Sequence, residues 1–248
     1  MSCIYSFSGL PFLLNGGDRF TGGFNSKELF IQCAEESIDG ARKTFKKITL
    51  YVDFSGKEIL KDLLYKFDDI VEVEVPEWSG YFFSYIKFLA FIEQLEPFIH
   101  LDLDFVINER LPDDILEKNI IVQFQEEFRL YKYRAYDYIT QVENPDKIIY
   151  DYLMKGAYNP SAYCVGIFGG ADLDFIKRYS KDVLRLAKQV KDSTLIKNLN
   201  TVLFLEQGYL SIKVQHEKKN VFLFHFSGID FIHYIGTEKK NYNIINNL

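Results

Sequence analysis

Two acids one residue apart, Asp102 and Asp104, stand inside the apolar stretch Phe98-Ile-His-Leu-Asp-Leu-Asp-Phe-Val-Ile107. Read as a strand, this stretch alternates faces. His100, Asp102, Asp104 and Val106 then point one way, and Leu101, Leu103, Phe105 and Ile107 the other. Two carboxylates on one buried face repel each other and lose hydration. A divalent cation between them would relieve both penalties. The plainer alternative is a pair of acids at a strand end, satisfied by backbone donors or a basic residue.

A second candidate lies far along the chain, in His233-Tyr-Ile-Gly236-Thr-Glu-Lys239-Lys240. A neutral imidazole can join two carboxylates as a third metal ligand. Gly236 would allow a ligand close to the backbone, and Lys239 would supply a point charge for a phosphate. Taken alone, a histidine and a lysine pair near a chain end are ordinary. His100 shares the acid-bearing face but lies deeper in the run, which suits a core histidine. His216 and His225 carry no signal.

The elements that must position these groups follow from the pattern of short apolar runs and longer helical periods. Strands are expected at Cys3–Ser8, Ile48–Asp53, Ile70–Val75, Phe98–Ile107, Ile120–Phe124, Tyr163–Phe168 and Val221–Phe226. Helices are expected at Ser26–Phe45, Gly56–Lys66, Tyr81–Leu95, Asp146–Lys155, Leu173–Val190 and Leu195–Val214. Asn25 and Glu28 read as a capping box. Strand and helix alternate over the first 107 residues, which predicts an α/β fold with a mainly parallel mixed sheet flanked by helices. In such sheets ligands bind beyond the carboxyl ends of strands. Asp102 and Asp104 come late in their run, so they should emerge at that edge. Asp172-Leu-Asp174 has the same spacing but opens a helical pattern. Asp172 is expected to be an N-cap there, with Asp174 favoured by the helix dipole.

Composition narrows the function classes. The chain has 248 residues, 48% hydrophobic and 26% charged, enough for a sizeable core and too apolar for disorder. Its net charge of −6 argues against general nucleic-acid binding. Three scattered cysteines, Cys3, Cys33 and Cys164, form neither a zinc motif nor a disulfide framework, and suit reduced thiols in a cytoplasmic protein. The N-terminus shows no signal-peptide pattern. No apolar run reaches the ~20 residues needed to span a bilayer. With no linker, repeat or low-complexity tract, one domain over residues 1–248 is the simplest organisation.

Together the two motifs resemble those of nucleotide-sugar glycosyltransferases with the Rossmann-like GT-A fold. An Asp-X-Asp at a strand end, followed much later by His-X-X-Gly-X-X-Lys, is most similar to the retaining family-8 type. That type includes bacterial lipopolysaccharide galactosyl- and glucosyltransferases and glycogenin. The resemblance implies that Asp102, Asp104 and His233 bind Mn2+ (or Mg2+), and that Gly236 and Lys239 contact the donor diphosphate, with Asp102 also on the donor side. It implies donor contacts from Lys87, on the helix before the acids, and from Tyr5 and Ser6 in the first strand. Tyr163-Cys-Val-Gly166-Ile-Phe-Gly169-Gly170 is similar to the segment that lines the sugar and acceptor pocket. Leu205-Glu206-Gln207-Gly208 is similar to the segment whose Gln lies beneath the reacting sugar, which gives Gln207 and Glu206 the catalytic positions. Residues 1–107 would then be the nucleotide-binding part and 108–248 the sugar and acceptor part.

The sequence departs from the family pattern at several places. Cys164 stands where Asn is usual, Gly208 where a second Asp is usual, and Lys240-Asn241 where Pro-Trp is usual. Tyr5-Ser-Phe-Ser8 lacks the common nucleotide-binding pattern. The expected activity is metal-dependent transfer of a hexose from a nucleoside-diphosphate sugar, a UDP-sugar, to a carbohydrate or glycolipid acceptor with retention. A lipid-linked acceptor would bring the protein to the inner membrane surface without crossing it. Two other classes fit parts of the same sequence. Asp102-Leu-Asp104-Phe-Val106 matches the nucleophile motif of haloacid-dehalogenase-like phosphatases, although that motif normally lies on a first strand. A GT-A-like domain could also hold a sugar nucleotide or glycan without turnover. The glycine segment could instead be a tight strand-to-helix turn, and Glu206 and Gln207 a solvated helix face.

Overall fold

The structure, a computed structural model, describes residues 1–14, 23–127, 129–156, 161–192 and 194–242. The first half runs β1 (Ser2–Phe7), α1 (Leu10–Leu14), α2 (Lys27–Arg42), β2 (Ile48–Val52), α3 (Phe54–Ile59), β3 (Asp69–Glu72), α4 (Tyr85–Glu93), β4 (Phe98–Leu101) and β5 (Phe105–Ile107). The second half runs α5 (Asp113–Leu116), β6 (Ile121–Glu127), α6 (Arg129–Gln141), α7 (Lys147–Lys155), β7 (Ser161–Gly170), α8 (Leu173–Gln189), α9 (Leu199–Leu203), α10 (Tyr209–His216), β8 (Phe222–Leu223) and β9 (Phe231–His233).

Among the described residues, seven strands form one sheet in the order β3-β2-β1-β4-β7-β6-β8. Strands β3, β2, β1 and β4 run parallel, β7 is antiparallel to both β4 and β6, and β8 is parallel to β6. The expected α/β class with a mostly parallel mixed sheet is what the chain adopts. Strands β2, β4 and β7 are buried along their whole length, as a sheet covered on both faces requires. The edge strand β3 is exposed throughout, and its charged ends are paired with Lys47 and Lys57. Charge on an edge discourages pairing with another chain.

Alternation along the central strands divides the core into two layers. Cys3, Tyr5, Ile99 and Leu101 pack with Cys33, Ile38 and Ala41 of α2 on one face. Ile4 and Phe98 pack with Phe88, Phe91, Tyr179 and Val183 of α4 and α8 on the other. Asp172 caps α8 by accepting from Phe175 N (3.1 Å), as its spacing predicted.

Several boundaries differ from expectation. The cap of α2 is Ser26, whose side chain accepts from Leu29 N, while Asn25 donates to Lys240 O (2.6 Å). The helix expected over Leu195–Val214 breaks into α9, a π-helical turn over Phe204–Gly208, and α10. The helix expected over Tyr81–Leu95 begins only at Tyr85, as α4, after a 3-10 turn at Glu77–Tyr81. The most consequential break is in Phe98–Ile107. It is two strands, not one, and the turn between them holds both acids.

Candidate metal and phosphate site

The acids converge for a reason other than strand alternation. Strand β4 is held by β1 and β7 only as far as Leu101. There the chain leaves the sheet in a turn, with Phe105 N donating to Asp102 O (3.0 Å) and Asp102 N donating to Gly166 O (2.9 Å). Ser37 Oγ fixes the far side of this turn by donating to Phe105 O (2.7 Å). The chain then enters β5, which pairs with β9 from the far end of the sequence, with Phe105 opposite His233. Tyr234 N donates to Asp104 O (3.0 Å). That pairing brings the imidazole to the carboxylates. The site therefore sits where a parallel sheet was expected to bind ligands, beyond the carboxyl ends of β1 and β4.

One ligand atom each from Asp102, Asp104 and His233 lie within 4.8 Å of one another. The ring of His233 is oriented from behind. Gln123 Oε1 accepts from His233 Nδ1 (2.6 Å) and from Cys164 Sγ (3.1 Å). A carbonyl oxygen can only accept, so Nδ1 carries a proton there and Nε2 is turned to the acids. Nε2 lies 3.4 Å from Asp104 Oδ1, close enough for a proton or a cation to bridge them. Hard oxygen donors with one imidazole suit Mn2+ or Mg2+, and an imidazole tied through its other nitrogen is the usual support of such a ligand. The donor set thus fits the implied ion. Gly166 makes room for the ring, since a Cβ there would lie 2.4 Å from His233 Cε1 and 2.6 Å from Gln123 Oε1.

Two ammonium groups flank the acids. Lys239 Nζ lies 2.6 Å from Asp104 Oδ2, and Lys87 Nζ lies 2.7 Å from Asp102 Oδ1. Gly236, with φ of 56°, opens the 3-10 turn Gly236–Asn241 that carries Lys239 back over the acids. A left-handed φ of this kind favours glycine. Lys87 is buried and also binds Glu206 Oε1 (2.7 Å), whose second oxygen accepts from Ser84 Oγ (2.8 Å). Tyr179 Oη donates to the Glu206 backbone carbonyl. The π turn carries Glu206 inward against Lys87 and brings Gln207 to the cavity, which Glu206 also lines.

The electrostatics follow from burial and these contacts. Burial pushes the Asp102 carboxyl up to about 6, against the pull of Lys87 and with help from Asp104 and Glu206. Burial acts the same way on Asp104, but Lys239 and His233 overcome it and hold that carboxyl well below the usual range. Burial also works against the charge of Lys87, yet Asp102 and Glu206 keep its pKa above the ordinary lysine value. The buried His100, whose Nε2 is bonded to Ser6 Oγ (2.9 Å), is driven well below its usual value by burial and by Lys87.

The acids, the imidazole and the two lysines open into a cavity of about 720 Å3, within the usual range for small-molecule sites. Its polar floor is Asp102, Asp104, His233, Lys87 and Lys239, and its walls include Phe12, Phe83 and Leu203. Ser6, Gly166, Gln207 and Gly236 also reach it.

Four expected site residues need correction. Tyr5 is fully buried and donates to Ser37 O (2.9 Å), so it supports the turn and touches no ligand space. Gly169 and Gly170 are the end of β7 and pair with Ile99 and Phe98, at the opposite edge of the sheet from Asp102. They are strand residues that admit close backbone neighbours, not pocket lining. Glu206 has both oxygens engaged and is 2% exposed, so it positions Lys87 instead of meeting substrate, and it is no solvated helix face.

Sequence reasoning missed Gln123 and Asp53. Gln123 stands alone in an apolar run, and a buried amide in a strand was the available signal. Asp53 follows β2 just as Asp102 follows β4. Its carboxylate accepts from Ser8 Oγ (2.6 Å), Gly9 N (2.9 Å) and Gly56 N (2.6 Å), which shapes the loop after β1 beside the cavity.

Fold and site define an α/β protein with a carboxylate–imidazole cluster, flanked by lysines, at the carboxyl edge of a mostly parallel sheet. The chain belongs to a family of unknown function (DUF6734), whose profile matches residues 12–248. None of the curated proteins compared with it matches. Among the described residues, no helix is long and apolar enough to cross a membrane.

Proposed function

We propose that this protein is a metal-dependent glycosyltransferase that moves a hexose from a nucleoside-diphosphate sugar, a UDP-sugar, to a carbohydrate or glycolipid acceptor with retention. The observation that carries the reading is the meeting of Asp102, Asp104 and His233 under two lysines in one cavity. A divalent cation held by the three ligands would supply Lewis-acid neutralisation of the charge that builds on the departing diphosphate.

The chain's own residues do the rest. Lys239, at the cavity rim, adds a fixed positive charge where the leaving group becomes negative. Lys87, anchored by Glu206, is a second such charge from the opposite side. Gln207 offers an uncharged amide to the reacting sugar. The carboxylates of the cavity floor are engaged with lysines or the imidazole, so none is placed as a strong base. That suits retention, in which the leaving phosphate oxygen takes the acceptor proton. The apolar wall beside Gln207 accommodates a glycolipid acceptor, which would be met at the inner membrane surface by a cytoplasmic enzyme.

The test is a thermal-shift screen of nucleotide sugars with and without Mn2+, followed by transfer assays on the responding donor. The expected result is stabilisation by a UDP-sugar that requires the ion. Stabilisation that is indifferent to the ion, or a response only to a generic aryl phosphate, would remove this reading. Stabilisation without any hydrolysis or transfer would leave a binding domain.

A further inference from the structure

A second cavity lies behind the imidazole, and the chemistry described above makes no use of it. Strand β6 pairs with β8 only at Ile121 and Val122. Past β8 the chain turns away in a 3-10 turn, Phe224–Phe226, and the register of β6 against β7 slips between Val122 and Phe124. A slip of this kind re-aims side chains, and Gln123 sits within it. The far half of β6, the 3-10 turn and β9 enclose a groove of about 980 Å3. His233 and Ile235 line both this groove and the metal cavity, so the two are neighbours across one wall.

The groove has its own chemistry. Phe226 is 77% exposed and its ring meets His225 with 5.4 Å between centroids, so an aromatic plate stands in water at the groove. Glu126, Asp230 and Glu238 also line it, and among the described residues no lysine or arginine does. Gln123 is 3% exposed, and its Oε1 is taken by His233 Nδ1 and Cys164 Sγ. Its Nε2 has no protein partner among the described residues, and the side chain lines the groove. A buried amide left in this way gains from any acceptor that reaches it.

We propose that this groove seats a neutral oligosaccharide: the sugar units of the acceptor that lie away from the reacting hydroxyl. This rests on the glycosyltransferase reading above and names its acceptor class. A pyranose has one face of C–H groups, which packs on a ring such as Phe226. Its hydroxyls can donate to the carboxylates, which only accept, and can accept from Gln123 Nε2. The same carboxylates repel a sialate, uronate or phosphorylated sugar, so the groove discriminates by charge as well as by fit. From the groove the saccharide crosses Ile235, exposed on the shared wall, to the cavity that holds Gln207.

The experiment is saturation-transfer NMR on the full-length chain, without nucleotide or metal. Lactose, maltotriose and chitobiose are the neutral probes, and sialyllactose is the charged counterpart of lactose. At least one neutral probe should receive saturation, and sialyllactose should receive none. The neutral signal should fall severalfold in Phe226→Ala and persist in Phe226→Trp, which keeps an aromatic plate. Urea unfolding of Phe226→Ala should match that of the unaltered chain, so the loss is one of contact and not of folding. Absence of transfer to every neutral probe, transfer indifferent to Phe226→Ala, or equal transfer to sialyllactose would overturn the groove's role. If the thermal-shift screen still answers to a UDP-sugar with Mn2+, that failure leaves the glycosyltransferase reading standing. Saccharide binding in a chain that answers to no UDP-sugar would keep the groove as a saccharide site and remove that reading.

Discussion

At the scale of single residues, the site depends on how His233 is held as much as on the ligands themselves. Replacing Asp102 or Asp104 by Asn removes a charged ligand, and each variant is expected to lose nearly all Mn2+-dependent UDP-sugar turnover, measured by product formation. Unchanged turnover in either would refute its assignment as a ligand. Gln123→Leu removes the acceptor that fixes the Nδ1 proton of His233. Support of this kind is commonly worth about 10–100-fold in metal affinity, and calorimetry with Mn2+ and UDP should register a loss of that order. Gly166→Ala should act similarly with the protein still folded, because the new methyl group meets the imidazole at 2.4 Å. The histidine-to-acid relation was legible in the sequence from residue types. The groups behind the ring were not, since Gln123 and Gly166 gain their meaning only from an imidazole supplied by a segment far along the chain.

At the scale of elements, two contacts tie the pieces around the cavity. Lys87 and Glu206 join α4 to the π turn through a buried ion pair. Removing one partner of such a pair strands the other charge, typically at a cost of about 3–5 kcal/mol. Glu206→Leu should therefore lower unfolding stability in urea titrations, by less than that because Asp102 still pairs with Lys87 at 2.7 Å. Asp172 does a cheaper job at the start of α8. Asp172→Ala should cost about 1 kcal/mol for the lost cap. Lys219 at 2.6 Å and the Phe175 amide hold the Asp172 carboxyl below its usual value, against the effect of burial. Because its folded pKa is depressed, this group's contribution is complete above the ordinary aspartate value of about 4. It fades as pH falls through the folded value. The acid limb of the stability curve should flatten in Asp172→Ala. Helix α8 and strand β2 could be read from period and cap because local signals agree there. The π turn could not, because it is held by packing against β7 and α8 and by the bonds of Glu206 to Lys87 and Ser84.

At the scale of the whole molecule, the sheet buries all three thiols. Cys3, Cys33 and Cys164 are free and buried, Cys164 at the wall of the cavity, and burial pushes each thiol above its ordinary pKa. A thiol-reactive aromatic disulfide should leave Cys3 and Cys33 unlabelled in the native protein and label all three after unfolding. Fast labelling of either of those two under native conditions would mean that the core opens readily around β1 or α2.

The amino-acid sequence alone pointed to the α/β class, with helices flanking the sheet, and to the three candidate ligands. Those depend on hydrophobic period and on side-chain chemistry, both of which are local. The tertiary structure decided how the ligands meet. The sequence suggested one strand carrying both acids on one face, whereas β4 ends at Leu101 and the acids occupy the turn beyond it. It also decided that Glu206 faces inward and that Gly169 and Gly170 lie at the far edge of the sheet. Each of these outcomes is set by a partner distant in the chain: β9 pairing with β5, Lys87 reaching Glu206, and β7 running antiparallel to β4. A pairing energy between remote segments leaves no mark on the local pattern of either one, so only the folded chain could reveal it.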